Sequence, residues 1–411
     1  PVTPTVQIDP ARIKELTARE AERLDARTQG SAAAYERAKR SLVGGVSSSY
    51  QKRAPWPIYL DRGQGQYVWD VDGRQYLDVH NGIGSMVQGH AHPIITEAVD
   101  RRIRLGSHFA APTEDTYIVA EYLAARWGLP RWRFVNSGSE ATMDAIRLAR
   151  AVTQRDGVMK IFGSYHGHHD SVMVDISLSV YEGTDREHYP SIAYGKGIPD
   201  SVTQMTTAVP FNDAGVLERR LTSLQSEGKL PACLIMEAAM MNCGVILPEP
   251  GYLAEVRRIT KKFGVVWIVD EVKTGLTVAA GGATELFGIK PDLVCLAKAL
   301  GAGIPTGAIG GSDEMWAMVD SGDVYMVGTF NGNPLAMAAA RANLERVMTP
   351  DAYKHLGRLN DQLLDGAQGI IDRYKLAAYA VGIESKGVIT FAQSKVVAYD
   401  SYKNAQQKEL I

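Results

Sequence analysis

Between Phe134 and Gly310, short apolar runs of strand length alternate with stretches whose apolar residues recur at helical spacing. Ala232–Glu237, Gly264–Asp270 and Leu293–Ala297 are apolar at nearly every position, which predicts strands buried on both faces. Their alternation with helices, among them one running to Ala151 and one over Tyr252–Phe263, predicts an α/β fold with a wound parallel sheet and right-handed crossovers. Upstream, Ile58–Asp70 and Gly73–Asp78 read as two short alternating strands with glycine-bearing turns, a separate antiparallel meander. Pro93 opens a helix through Ile103, and further helices are predicted over Thr116–Trp127, Leu335–Val347 and Asp351–Tyr374, with a late strand at Val388–Phe391. In Arg12–Leu24, Ile13, Leu16, Ala21 and Leu24 give an amphipathic helix whose apolar face packs on another subunit or back on its own domain.

Composition narrows the class without naming a function. The 411 residues are 45% hydrophobic and 22% charged, enough for a sizeable core and two to three domains. A formal net charge of −2 offers no electrostatic footprint for nucleic acid or an anionic membrane. Cys233, Cys243 and Cys295 lie in or beside apolar runs without metal-binding spacing, as buried thiols of a reducing compartment do. With no apolar run of about 18 residues and no secretory leader, a cytoplasmic location is expected.

Chemistry gathers at the strand ends. Lys298 closes an apolar run, where burial would lower its pKa and free a nucleophilic amine; the bland alternative is a lysine reaching from a strand end to solvent. Asp270 ends a second run, and parallel strands deliver such ends to one rim. An amine and a carboxylate so placed suit a pyridoxal phosphate (PLP) site, the lysine forming the Schiff base and the aspartate holding the pyridine nitrogen protonated. Asn136-Ser137-Gly138-Ser139-Glu140 joins a strand to a helix, either as a phosphate cradle or as a plain serine cap. Tyr165 follows the next strand and could stack on a flat ring. The neighbouring His166, His168 and His169, like His90 and His92, lack the spacing of a metal site. Ser177–Val202 is polar and irregular, as a mobile loop over a site or a surface excursion would be. Glu237 ends a third acid-terminated strand and is followed by Asn242.

In these ordered motifs the sequence resembles the class III aminotransferases of PLP fold type I, and within them the glutamate-1-semialdehyde 2,1-aminomutase branch. The shared stretches are Gly-Gly-Val at 44–46, Gly-His-Ala-His-Pro at 89–93, Ala-Pro-Thr-Glu at 111–114, Phe-Val-Asn-Ser-Gly-Ser-Glu-Ala-Thr-Met at 134–143, Tyr-His-Gly-His at 165–168, Asp-Glu-Val at 270–272, Pro-Asp-Leu at 291–293 and Gly-Asn-Pro-Leu-Ala-Met at 332–337. The resemblance implies a helical arm at 1–45, a small α+β domain built from 46–84 and 341–411, and a large cofactor domain at 85–340. It implies PLP joined to Lys298, which also shuttles the proton, with Asp270 on the pyridinium nitrogen and Tyr165 and Val272 on the two ring faces. Ser137, Gly138 and Ser139 would hold the phosphate, joined by Thr329 from the partner of a homodimer. Asn242 would approach the ring hydroxyl, Glu237 would stand behind it, and Ser48 would face the substrate.

Departures from the branch bear on the substrate. Gln51 stands where an arginine is expected to hold a substrate carboxylate, and an amide cannot replace a bidentate guanidinium. Lys52 and Arg53 are the adjacent cations available to compensate. Ile83 replaces the pocket tryptophan, near His80 and Asn81, Ala238 replaces the proline after the acid, and the chain stops before the family's last small-domain segment. The leading expectation is amino transfer from an amine or amino acid to a keto or aldehyde acceptor. Its rivals are the intramolecular aminomutase, an amino-acid racemase, and a non-catalytic PLP-fold binding protein.

Overall fold

A computed structural model describes residues 9–176, 185–392 and 394–401. The chain divides into two compact units, residues 1–93 and 94–411.

In the first unit the helices Pro10–Ala26 and Gln29–Ala38 precede a three-stranded antiparallel sheet. Its strands are β1 (Leu60–Gln64), β2 (Tyr67–Asp70) and β3 (Gln75–Leu77), so the meander has one strand more than the sequence pattern suggests. The Asp72 carboxylate accepts from the amides of Gly30 and Ser31, capping the second helix, and Arg53 pairs with Asp25 at 3.2 Å. The first helix buries no residue, and Ile13 on its apolar face stays half exposed. Residues Asn81–Gly84 form one turn with positive φ at every position, including Ile83 at 57°. A β-branched residue there is strained by about 1–2 kcal/mol.

The second unit is built on a seven-stranded sheet. Its strands are β4 (Arg131–Val135), β5 (Val158–Ile161), β6 (Thr206–Val209), β7 (Cys233–Met236), β8 (Val266–Asp270), β9 (Leu293–Leu296) and β10 (Gly307–Gly311). They lie in the order β4-β10-β9-β8-β7-β5-β6, parallel except for β10, which runs antiparallel to both neighbours. Successive residues of β8 serve opposite faces: Trp267 and Val269 enter one apolar core, Val266 and Ile268 the other. Both faces are thus dry, which explains the unbroken apolar runs. No described helix is long and apolar enough to cross a membrane, and all three cysteines are buried.

The helix expected over Leu335–Val347 is α-helical only over Pro334–Ala342; Asn343–Val347 is a π turn. That turn carries the buried Asn343, whose side-chain amide donates to the Ala299 carbonyl at 2.8 Å. The helix Pro350–Tyr374 then leads to the hairpin of β11 (Tyr379–Ile383) and β12 (Lys386–Thr390). Of the irregular stretch Ser177–Val202, residues 177–184 lie outside the described residues. The remainder has no regular structure before a short helix at Asp200–Thr203.

Lys160 on β5 is fully buried, and its Nζ donates to the carbonyls of Ser164 and Val174, each at 2.8 Å. It ties down the loop that bears Tyr165 and His166, while burial pushes its ammonium down to about 7. Lys160→Met leaves both carbonyls buried without a donor. Urea denaturation should show a loss of about 2–4 kcal/mol, the cost of two such orphaned acceptors.

Candidate active site

The carboxyl ends of β7, β8 and β9 lie side by side, and each is followed or ended by an ionisable group: Glu237, Asp270 and Lys298. Adjacent strands are about 4.8 Å apart, so the sheet alone spaces these groups along one rim. Lys298 opens a tight turn with φ 47°, a left-handed conformation that costs a non-glycine residue energy. Asn343 holds the next carbonyl, at Ala299, and so helps keep the turn in place. Burial lowers the Lys298 pKa first, the neighbouring Lys273 adds to this, and Asp270 and Glu237 oppose it. Lys298 is half-buried, and there desolvation outweighs the two carboxyls.

Asp270 is buried, with both oxygens engaged. Its Oδ1 accepts from the Val272 amide at 2.9 Å, and its Oδ2 lies 2.8 Å from His166 Nδ1. Burial pushes the His166 imidazolium down. The ring is thus neutral, with Nδ1 as the donor to the carboxylate. Glu237 is buried too, its Oε2 accepting from the Met241 amide at 3.3 Å. Burial, then Asp270, pushes its carboxyl up to about 8, so it keeps its proton at neutral pH. Glu271, beside Asp270, has a different task. Its carboxylate takes the amides of Ala283 and Thr284 and the Thr274 hydroxyl, locking the following loop.

The helix Gly138–Thr153 starts at this level. Ser137 Oγ caps it by accepting from the Glu140 amide at 3.1 Å, and Ser139 Oγ accepts from the His168 amide at 2.9 Å. The amides of Gly138 and Ser139 belong to the first turn, which has no intrahelical acceptor for them. A Cβ on Gly138 would stand 2.9 and 3.0 Å from the two methyls of Val272, so only glycine lets these backbones approach. Tyr165 is partly exposed, and its carbonyl accepts from Asn242 Nδ2 at 3.4 Å.

Thr329 is exposed, in the turn before the helix Pro334–Ala342. That turn is joined to the cradle through Asn331 Oδ1, which accepts from Asn136 Nδ2 at 3.0 Å. Ser48 belongs to the first unit, exposed at the start of the turn Ser49–Gln51. There the Gln51 side chain accepts from the amides of Ser47 and Ser48, both at 3.1 Å. Arg53 is committed to Asp25 and the Trp56 carbonyl. In the sequence His166 is one of three neighbouring histidines, and nothing there marks its bond to Asp270. Position alone, one residue after the ring-stacking candidate, was the available signal. Lys273, whose charge acts on Lys298, and Lys386, on which Lys273 and Lys298 act, carry no motif in the sequence.

Comparisons with known proteins agree on one family. The family model of class-III aminotransferases matches residues 48–395. The glutamate-1-semialdehyde 2,1-aminomutase of Methanocaldococcus jannaschii is 38% identical over 379 residues, covering 92% of this chain and 86% of the relative. Among solved structures, an omega-transaminase from Sphaerobacter thermophilus has a TM-score of 0.85 at 33% identity, covering 92% of this chain and 86% of that one. A glutamate-1-semialdehyde aminomutase from Pseudomonas aeruginosa PAO1, solved in complex with PMP, has a TM-score of 0.87 at 29% identity, covering 98% and 89%.

The proton on Glu237 has a thermodynamic consequence. The folded chain binds it more tightly than the unfolded chain, whose carboxyl has the ordinary value of 4.5. This contribution is therefore full below about 4.5 and is lost as pH rises to about 8. In thermal melts, the wild type should lose Tm across that window more steeply than Glu237→Gln, which has no proton to lose.

Proposed function

The chain belongs to the class-III aminotransferase family and is an enzyme, and from that premise we propose that it moves an amino group from an amine or amino-acid donor to a keto or aldehyde acceptor, with PLP as cofactor. One observation carries the reading. A half-buried lysine amine with a lowered pKa stands at a strand end beside a buried carboxylate, with a glycine-opened helix start nearby.

The residues present fit that cofactor. Ser137, Gly138 and Ser139 would hold its phosphate with hydroxyls and first-turn amides, which also carry the positive end of the helix dipole. Val272 and Tyr165 would flank the ring, Asp270 would hold the ring nitrogen, and Lys298 would carry the aldehyde carbon. When bound, PLP supplies an aldehyde to capture the donor amine and a ring that withdraws electrons from the donor carbon. The protein's share is positioning and proton movement. His166 and the Val272 amide hold the Asp270 carboxylate in one orientation. Lys298, as a free amine, would carry the proton to and from the donor carbon, a role its lowered pKa suits. Glu237 would back the site as a neutral acid, and Asn242 would meet the ring hydroxyl.

Thr329 would complete the phosphate site from across a homodimer. Its surroundings support this, since Tyr325, Val327 and Phe330 are 78%, 70% and 54% exposed, an apolar strip in want of cover. A second reading, the intramolecular 2,1-aminomutase, is favoured by the 38% identity to enzymes of that name. Against it stands Gln51, whose side chain is spent on its own turn where a carboxylate-binding arginine would be needed.

The PLP-loaded enzyme, treated in turn with glutamate, amines, β-amino acids and glutamate 1-semialdehyde, separates the two. Donors should convert the cofactor from its aldehyde to its amine absorbance with release of the matching carbonyl, and semialdehyde alone should give no 5-aminolevulinate. Turnover of semialdehyde to 5-aminolevulinate without a co-substrate would establish the mutase instead. Lys298→Ala should lower turnover by on the order of a thousandfold.

A further inference from the structure

The ends of β7–β9 hold more cationic charge than the reading above uses. Lys273 lies three residues beyond Asp270, and its Nζ donates to the Met241 carbonyl at 3.2 Å. Lys386 begins β12, and the charges of Lys273, Lys298 and Glu237 are felt at its ammonium. This is a fixed position. The Ser385 hydroxyl donates to the Thr277 carbonyl at 2.8 Å, and the Thr277 hydroxyl donates to the Lys273 carbonyl at 2.9 Å, so the hairpin tip is latched to the segment carrying Lys273. From the other side, Asn360 of the helix Pro350–Tyr374 donates to the Lys386 carbonyl at 3.0 Å. Gly387 brings the strand so close to that helix that a Cβ would strike the Asn360 side chain.

The charges do not balance. Among the described residues neither Lys273 nor Lys386 forms an ion pair. The carboxyl that acts on Lys386 is Glu237, which holds its proton until about pH 8. Burial, then Lys273 and Lys298, pushes Lys386 itself down to about 8, as unneutralised cations close together do. A partly buried pair of cations without a counter-ion favours an incoming anion. The cofactor phosphate is not that anion: its cradle follows β4, two strands from β9 on one side, whereas Glu237 follows β7, two strands away on the other.

We propose that Lys386 and Lys273 form an anion subsite that takes a carboxylate of the substrate, making this an enzyme of amino and keto acids rather than of simple amines. The proposal rests on Lys298 as the reacting amine. It also accounts for Gln51 standing where an arginine is expected, because the carboxylate is met instead by the β11–β12 hairpin and the Asp270 segment. The pair are specificity residues: they select the acid without moving the proton.

The test uses the PLP-loaded enzyme, its Lys386→Met and Lys273→Met variants, and Lys386→Arg as a charge-retaining control. Calorimetry with glutarate, which has no amine to react, reads the subsite directly. Wild type should bind it, each methionine variant at least about tenfold more weakly, and Lys386→Arg within a few-fold of wild type. With an amino-acid donor Lys386→Met should raise KM by about tenfold at nearly constant kcat, with Lys386→Arg close to wild type, while kcat/KM of Lys386→Met for a neutral amine stays level. Glutarate binding that is absent from wild type, or equal in wild type and variants, overturns the subsite. Loss of all amino transfer with glutarate binding still dependent on Lys386 would instead overturn the reaction assigned above and leave the subsite standing.

Discussion

Desolvation of ionisable groups at the strand ends is the constraint from which the other properties of the site follow. The sheet is dry on both faces, so Glu237, Asp270 and Lys298 emerge into a region where charge is disfavoured. The same burial acts with opposite outcome on acids and bases: it keeps the proton on Glu237 and loosens the proton on Lys298. Asp270 is singled out by its donors, since His166 and the Val272 amide meet both of its oxygens. A neutral acid, an oriented carboxylate and a loosened amine then stand on three adjacent strands. Such a division of labour by environment is how one fold performs acid and base chemistry near neutral pH.

Supporting contacts come from elements distant in sequence. Asn343 in a π turn holds the carbonyl after Lys298, and Lys160 holds the loop bearing Tyr165 and His166. A π turn breaks a helix ladder, and here it turns a buried amide toward the strained Lys298 turn. These are costs in regular structure retained next to the reacting group, as expected of a site whose geometry matters more than its local stability.

Much of this was legible in the sequence because it follows local rules. Unbroken apolar runs reveal strands covered on both faces, and the terminal Lys298, Asp270 and Glu237 stand out against them. The helix Tyr252–Phe263 lies where its periodicity puts it, and Ser137 caps as its position suggests. What escaped the sequence depends on long-range neighbours. Antiparallel β10 inside an otherwise parallel sheet reads like any buried strand, and the single stretch Ile58–Asp70 folds as two strands, β1 and β2, paired across a turn at Gly65. Lys386 looks like an ordinary charged residue beside a turn until the hairpin is latched to Thr277. The bond from His166 to Asp270 joins positions far apart in the chain, and no motif spacing encodes it.

Three amines share this region, and the account requires that only one of them react. Borohydride reduction of the PLP-loaded enzyme fixes the cofactor to the amine it is joined to, and peptide mass spectrometry then identifies that residue. The cofactor mass should be found on Lys298 alone, with Lys273 and Lys386 unmodified. Label on Lys273 or Lys386, or cofactor lost from the protein after reduction, would contradict the assignment of Lys298 on which the proposed chemistry stands.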